Sequence, residues 1–261
     1  MALDMARVYP KEFGEKIKAA FESGDAEAFY SIQEDVAMKS ILHRMNYCFE
    51  LLREGREEDA AELISLHIGN DYKYGRAFSS QGCLAAVAES FKNEAILYNL
   101  IRDVYTQDGY GFPRKLIIKM KKLSHGIPED ERLKGLCDGD PVTVYRASIT
   151  DNEKAIVNEI SWTTNYDVAV FFAYKEHLRF KDMFGENDII PLHIWKAEIP
   201  RKKIITYCND RNEYEVIQHH GVVNAIMLPM PTDSEVERVM REHEERQMQS
   251  IHDAMDSNAN E

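Results

Sequence analysis

Apolar residues recur at helical spacing through the first hundred residues and at strand spacing through much of the last half. Phe13, Ile17, Ala20 and Phe21 line one side of a helix predicted over Lys11–Glu22. Ser23-Gly24-Asp25 then supplies a stop and an N-cap. Ile41, Met45, Phe49 and Leu52 repeat the spacing over Val36–Arg53, with Gly55 just beyond. Glu57–Ile68 reads as a third helix, closed by Gly69-Asn70-Asp71. Leu84, Val87, Phe91, Ile96, Leu97 and Leu100 predict one long helical stretch over Cys83–Tyr105. Helix pairs separated by Gly/Asp turns imply a small bundle or a repeat-like array, without a period sharp enough to define a repeat. A layer of this kind more often binds than catalyses.

The pattern changes after Gly109. Gly109–Pro113 is loop material, and a basic amphipathic segment runs from Arg114 to Leu123. Gly126–Asp140, rich in Gly, Asp and Pro, reads as a joint. Val142–Arg146 then alternates as a strand does, and Glu159–Thr163 is a second short strand. Asn165 or Asp167 can cap a helix through Val168–Ala173. Ile189–Ile199, Lys203–Tyr207, Glu213–Gln218 and Asn224–Leu228 read as further strands. One helix among about six short strands, with no regular alternation, predicts an α+β fold with antiparallel sheet. The expected organisation is a helical region over 1–110, a basic segment and joint over 111–140 and a core over 141–231. Residues 232–261 form an acidic tail, either helical or disordered.

Hydrophobic residues at 44% and charged residues at 30% are ordinary for a globular protein, and 261 residues suffice to bury a core. The net charge of −13 is concentrated in the flanks. Residues 1–100 hold 17 acidic and 11 basic side chains, and residues 232–261 hold 9 and 3. Such acidity disfavours non-specific binding to nucleic acid. The exception is the run Arg114, Lys115, Lys119, Lys121 and Lys122, read first as a solvated helix face. Cys48, Cys83, Cys137 and Cys208 form no CxxC pair, and His219-His220 has no metal-spaced partner, so reduced thiols and no metal are expected. No run approaches the ~20 apolar residues of a membrane span. Met1–Pro10 lacks the apolar core of a secretory signal. The expected location is the cytoplasm, with no membrane partner.

Three elements carry candidate chemistry. Glu213 and Glu215 stand two apart in a strand-like run, so alternation would turn both carboxylates into one cleft. Paired acids suit a reaction that develops positive charge. Arg146 ends a strand-like run, and a guanidinium can grip a diphosphate through two oxygens. In Ser161-Trp162-Thr163 the hydroxyls share one strand face while the indole turns the other way. No GxGxxG, Walker A or GxSxG sequence points elsewhere.

In this order, Arg146, Ser161-Trp162-Thr163 and Glu213-x-Glu215 resemble the R–S–E branch of the mono-ADP-ribosyltransferases. The resemblance covers roughly residues 140–230 and departs from the usual Ser-Thr-Ser pattern at Trp162. It implies a core of two packed, mostly antiparallel sheets. NAD is then a substrate: Arg146 anchors it, Ser161 orients the catalytic Glu215, and Thr163 supports the cleft wall. Glu213 engages the acceptor, as in arginine-modifying members. Phe171 or Phe172 would stack on nicotinamide, at least one of them being core instead. The loop Tyr174–Asp188 would bring Lys175, Arg179 or Lys181 to NAD, and Tyr207, beside the turn before Glu213, would dock the acceptor. The acceptor is a macromolecule, protein before RNA or DNA. A toxin, phage-defence or effector setting fits, with a neutralising partner protein left open. The alternatives are an NAD glycohydrolase or a non-enzymatic interaction module with a degenerate nucleotide-binding core.

Overall fold

The computed structural model describes residues 3–66, 80–107, 112–137, 139–184, 193–209 and 212–258. Two compact units divide the chain, Met1–Pro128 and Glu129–Glu261.

Among its described residues the first unit is helical. α1 (Lys11–Glu22) turns through Gly24, at φ 72°, into α2 (Ala26–Arg53). α2 starts ten residues before the apolar pattern predicts, because the Asp25 side chain accepts from Ala28 N at 3.0 Å and nothing breaks the helix until Gly55. Its buried face carries Val36, Tyr47, Cys48, Leu51 and Leu52. α3 (Glu57–Ser65) opens on a buried glutamate, and the predicted stop at Gly69–Asp71 lies outside the described residues. The Glu57 carboxylate accepts from Lys92 N at 3.1 Å and Asn93 N at 2.8 Å, fixing the chain ahead of the next long helix.

The single helix expected over Cys83–Tyr105 is two. α4 (Gly82–Val87) passes into a tight turn over Ala88–Ser90, Phe91 is extended, and α5 (Glu94–Gln107) restarts. The break is an N-cap: Asn93 Oδ1 accepts from Ala95 N and Ile96 N at 3.0 and 3.2 Å. α6 (Arg114–Leu123) buries Leu116, Ile117, Met120 and Leu123 and turns its lysines outward, Lys119 pairing with Glu89 at 2.8 Å. None of the four cysteines is in a disulfide, and burial pushes the Cys48 thiol up to about 12.

The second unit holds α7 (Glu129–Arg132), β1 (Val142–Ser148), α8 (Glu153–Ile156), β2 (Ser161–Thr163), α9 (Tyr166–Phe184) and β3 (His193–Ile199). β4 (Ile204–Cys208), β5 (Glu215–Gln218), β6 (Val223–Leu228) and α10 (Asp233–Asn258) follow. The fold is α+β, with all described strands in one antiparallel sheet of order β4-β5-β2-β1-β3-β6. The expected pair of packed sheets is corrected to one. The two halves of that sheet, β4-β5-β2 and β1-β3-β6, join at the register pair Tyr145↔Thr163.

Alternation sorts the sheet residues onto two faces. One face packs Val142, Val144, Trp162, Trp195, Ile199, Ile204 and Val216 into a core. The other carries Tyr145, Ala147, Ile194 and Leu228 beneath Ala169, Val170 and Ala173 of α9 and Val236 and Val239 of α10. Asp233–Asn258 is therefore helical, and Val236 and Val239 help to cover the sheet. Arg238 of α10 donates to both oxygens of Asp167 on α9, at 3.0 and 2.7 Å. No described helix is long and apolar enough to cross a membrane.

Candidate functional site

β1, β2 and β5 lie side by side, so the arginine, hydroxyl and glutamate strands are neighbours. Thr163 pairs with Tyr145 on one side and with Glu215 on the other, and Ser161 pairs with Ile217. Tyr145, Ser161, Thr163 and Glu215 therefore share one face of the sheet. On that face Ser161 Oγ donates to Glu215 Oε1 at 2.5 Å. The Glu215 side chain belongs to a residue only 9% exposed. A carboxylate so placed is held by its hydrogen bonds rather than by water.

Arg146 has the parity of Val142 and Val144 and stands opposite Trp195, both marks of the other face. The expectation that its side chain points into one cleft with Ser161 and Glu215 needs correcting on that account. The guanidinium instead reaches to the start of β2. Its Nη1 donates to the Ser161 carbonyl, and its Nη2 donates to Glu159 Oε2 at 2.9 Å. Its Nε is buried without a hydrogen-bond partner. Ser161 is thus the shared link, holding Glu215 through its hydroxyl and Arg146 through its carbonyl.

Glu213 and Glu215 do not sit together on a strand. β5 begins at Glu215, and Tyr214 has φ 51°, a left-handed backbone that breaks alternation between the two acids. Glu213 is half-buried, and its carbonyl accepts from Thr163 Oγ1 at 2.7 Å. Thr164 N donates to the Tyr214 carbonyl at 3.0 Å, and Asn209 Oδ1 accepts from Tyr214 N at 3.2 Å. Bulky residues at positive φ are uncommon and cluster where surrounding bonds over-determine the backbone. Here β2 and Asn209 hold the glutamate turn in place.

Other expected site residues fall differently. Thr163 is buried, and its hydroxyl also accepts from Asn165 N at 3.1 Å, so it ties β2, the glutamate turn and the start of α9 together rather than facing a ligand. Tyr207 lies inside β4, 8% exposed in the core, with its hydroxyl bonded to Thr164 and its pKa raised chiefly by burial. That placement removes the exposed ring an acceptor dock needs. Phe171 stacks on His243 of α10 at 3.7 Å, and Phe172 meets it edge-on at 5.5 Å. The loop expected over Tyr174–Asp188 is helix as far as Phe184. Lys175 Nζ lies 5.8 Å from the Phe171 ring centre, while the Arg179 and Lys181 side chains lie outside the described residues.

Two partners were missed. Tyr145 stands beside Thr163 on the site face and meets Tyr166 edge-on at 5.5 Å. Its strand was read, but its register against β2 has no mark in the sequence. Glu159 was read only as the start of a strand, yet it holds Arg146. Among the described residues no cluster of three or more His, Cys, Asp or Glu could hold a metal ion. No family model, curated protein or solved structure matches this chain.

Proposed function

We propose that the chain is a mono-ADP-ribosyltransferase that splits NAD and passes ADP-ribose to a macromolecular acceptor, protein arginine before RNA or DNA. The observation that carries this reading is the Ser161–Glu215 hydrogen bond at 2.5 Å, made between adjacent strands with Arg146 attached to the same serine. When the bond from ribose C1′ to the nicotinamide nitrogen breaks, its electron pair stays with nicotinamide and positive charge grows on the sugar. A fixed carboxylate gains interaction strength as that charge appears, which lowers the barrier rather than merely tightening binding. Glu215 has that role, and Ser161 holds it in one orientation. The guanidinium of Arg146 suits the diphosphate. Glu213, on its constrained turn, would meet the attacking acceptor group, whose proton is lost as the new bond to C1′ forms.

The test is incubation of the protein with labelled NAD and a cell lysate. Wild type is expected to label a macromolecule, and Glu215→Gln to cut the rate at least about a hundredfold, the usual scale for removing transition-state electrostatics. A silent wild type, or an undiminished Glu215→Gln, overturns the reading. Release of label by protease or by nuclease identifies the acceptor class, and free ADP-ribose without label transfer identifies hydrolysis instead.

A further inference from the structure

Arg146 departs from the sheet on the face opposite Glu215, so something must hold its guanidinium near the hydroxyl strand. Two acceptors do so, the Ser161 carbonyl and the Glu159 carboxylate. Glu159 is itself firmly mounted. Its carbonyl accepts from Trp162 Nε1 at 3.1 Å and from Gln218 Nε2. Gln218 is fully buried, and its Oε1 accepts from Gly221 N at 2.6 Å. Gly221 is needed there, because a Cβ would stand 2.8 Å from Lys203 Cβ and 3.4 Å from Gln218 Oε1. The mount therefore joins the chain before β2 to the far end of β5, the same two strands that carry Ser161 and Glu215.

We propose that Glu159 is a positioning residue for the substrate diphosphate, acting through Arg146; this rests on the ADP-ribosyltransferase reading. A guanidinium has five N–H donors, and Glu159 and Ser161 take one each. Of the remaining three, the Nε–H is buried, and the second N–H on each terminal nitrogen is the donor that can reach a phosphate oxygen. Glu159 touches no reacting atom. Its carboxylate limits the rotation of a long side chain, so the diphosphate meets a preset fork.

The pair is part-exposed, with the arginine side chain 27% and the glutamate 40% accessible, and an exposed pair of this kind shifts an equilibrium by about fivefold. The experiment measures KM and kcat for NAD, and NAD binding by titration calorimetry, in wild type, Glu159→Ala, Glu159→Gln, Glu159→Asp and Glu215→Gln. Glu159→Ala is expected to raise KM and the dissociation constant about fivefold, with kcat within about twofold. Glu159→Gln keeps an acceptor at the same reach and should restore most of the affinity, which a merely structural glutamate would not require. If Glu159→Ala fails to fold, Glu159→Asp, one methylene too short, carries the same expectation. Unchanged affinity in the Ala and Asp variants overturns the inference while leaving the enzyme reading intact. So does tighter binding, the outcome if Glu159 competes with the diphosphate for Arg146. A wild type that neither binds nor turns over NAD overturns both.

Discussion

Ser161 makes two bonds from two different atoms, and they separate its roles. The carbonyl holds Arg146 whatever the side chain is, while the hydroxyl alone reaches Glu215. Ser161→Ala therefore removes one charge-assisted hydrogen bond and leaves the arginine anchored. Such bonds contribute about 1.5–3 kcal/mol, so kcat for NAD cleavage should fall roughly ten- to a hundredfold with little change in KM. Steady-state kinetics on the purified variant decide the matter, and a kcat equal to that of wild type would remove Ser161 from the mechanism. Tyr214 shows a limit of reading residues singly. Nothing in Glu-Tyr-Glu signals a left-handed tyrosine, since glycine is the usual marker of that backbone. The pattern argument for paired carboxylates fails on that one dihedral angle. Arg146 shows the converse. Its parity with Val142 and Val144 was present in the alternation, but only the register Tyr145↔Thr163 reveals that Ser161 faces the other way.

Elements were legible where periodicity was strong and ambiguous where a cap or a contact decided. The apolar stripe of α6 and the opening alternation of β1 declare themselves, because a buried face repeats through α6 and Val142 and Val144 are buried on either side of the exposed Thr143. The break between α4 and α5 does not, since apolar residues continue through it and a single asparagine side chain restarts the helix. α10 was the hardest: its composition is that of a solvated tail, and what fixes it is Val239 in the core, Arg238 on Asp167 and His243 stacked on Phe171. The stack gives α10 a pH dependence. Burial first, then the neighbouring Arg246 and Lys175, lower the His243 pKa below the ordinary 6.5, against a weaker opposing pull from Glu244. A lowered pKa means that the unfolded chain binds the proton more readily, so stability is present above about pH 6.5 and declines as pH falls below it. Asp167 acts in a separate and lower window. The Arg238 guanidinium holds its carboxyl below the usual 3.8, so its contribution is full above that value and is lost only in stronger acid. Thermal unfolding followed from pH 7.5 to 5 should show a decline that His243→Phe flattens, because phenylalanine keeps a stacked ring without the proton. An unchanged slope in that variant would dissociate His243 from the docking of α10.

At the scale of the whole molecule the division at Pro128 separates two kinds of physics. The first unit is a set of amphipathic helices shaped by local periodicity and by caps such as Asp25 on Ala28 and Asn93 on Ala95, with a few longer ties such as Glu57 on Lys92. The second is held by contacts distant in sequence: Ser161 to Glu215 spans 54 positions, Arg132 to Ile204 spans 72, and Asp167 to Arg238 spans 71. Long-range pairings of this sort form late and together, so the sheet unit should unfold as one cooperative body. The bonds described for the site, from Arg146, Glu159, Thr163 and Ser161 to Glu215, all lie within Glu129–Glu261. A fragment of residues 129–261 is therefore expected to melt in a single transition and to cleave NAD within about tenfold of the rate of the full chain, measured as nicotinamide release. Transfer to the acceptor is compared alongside: if cleavage persists while labelling of the lysate falls, the helical unit serves acceptor recognition. A fragment that folds but releases no nicotinamide, beside an active full chain, would show that chemistry assigned here to one unit needs both.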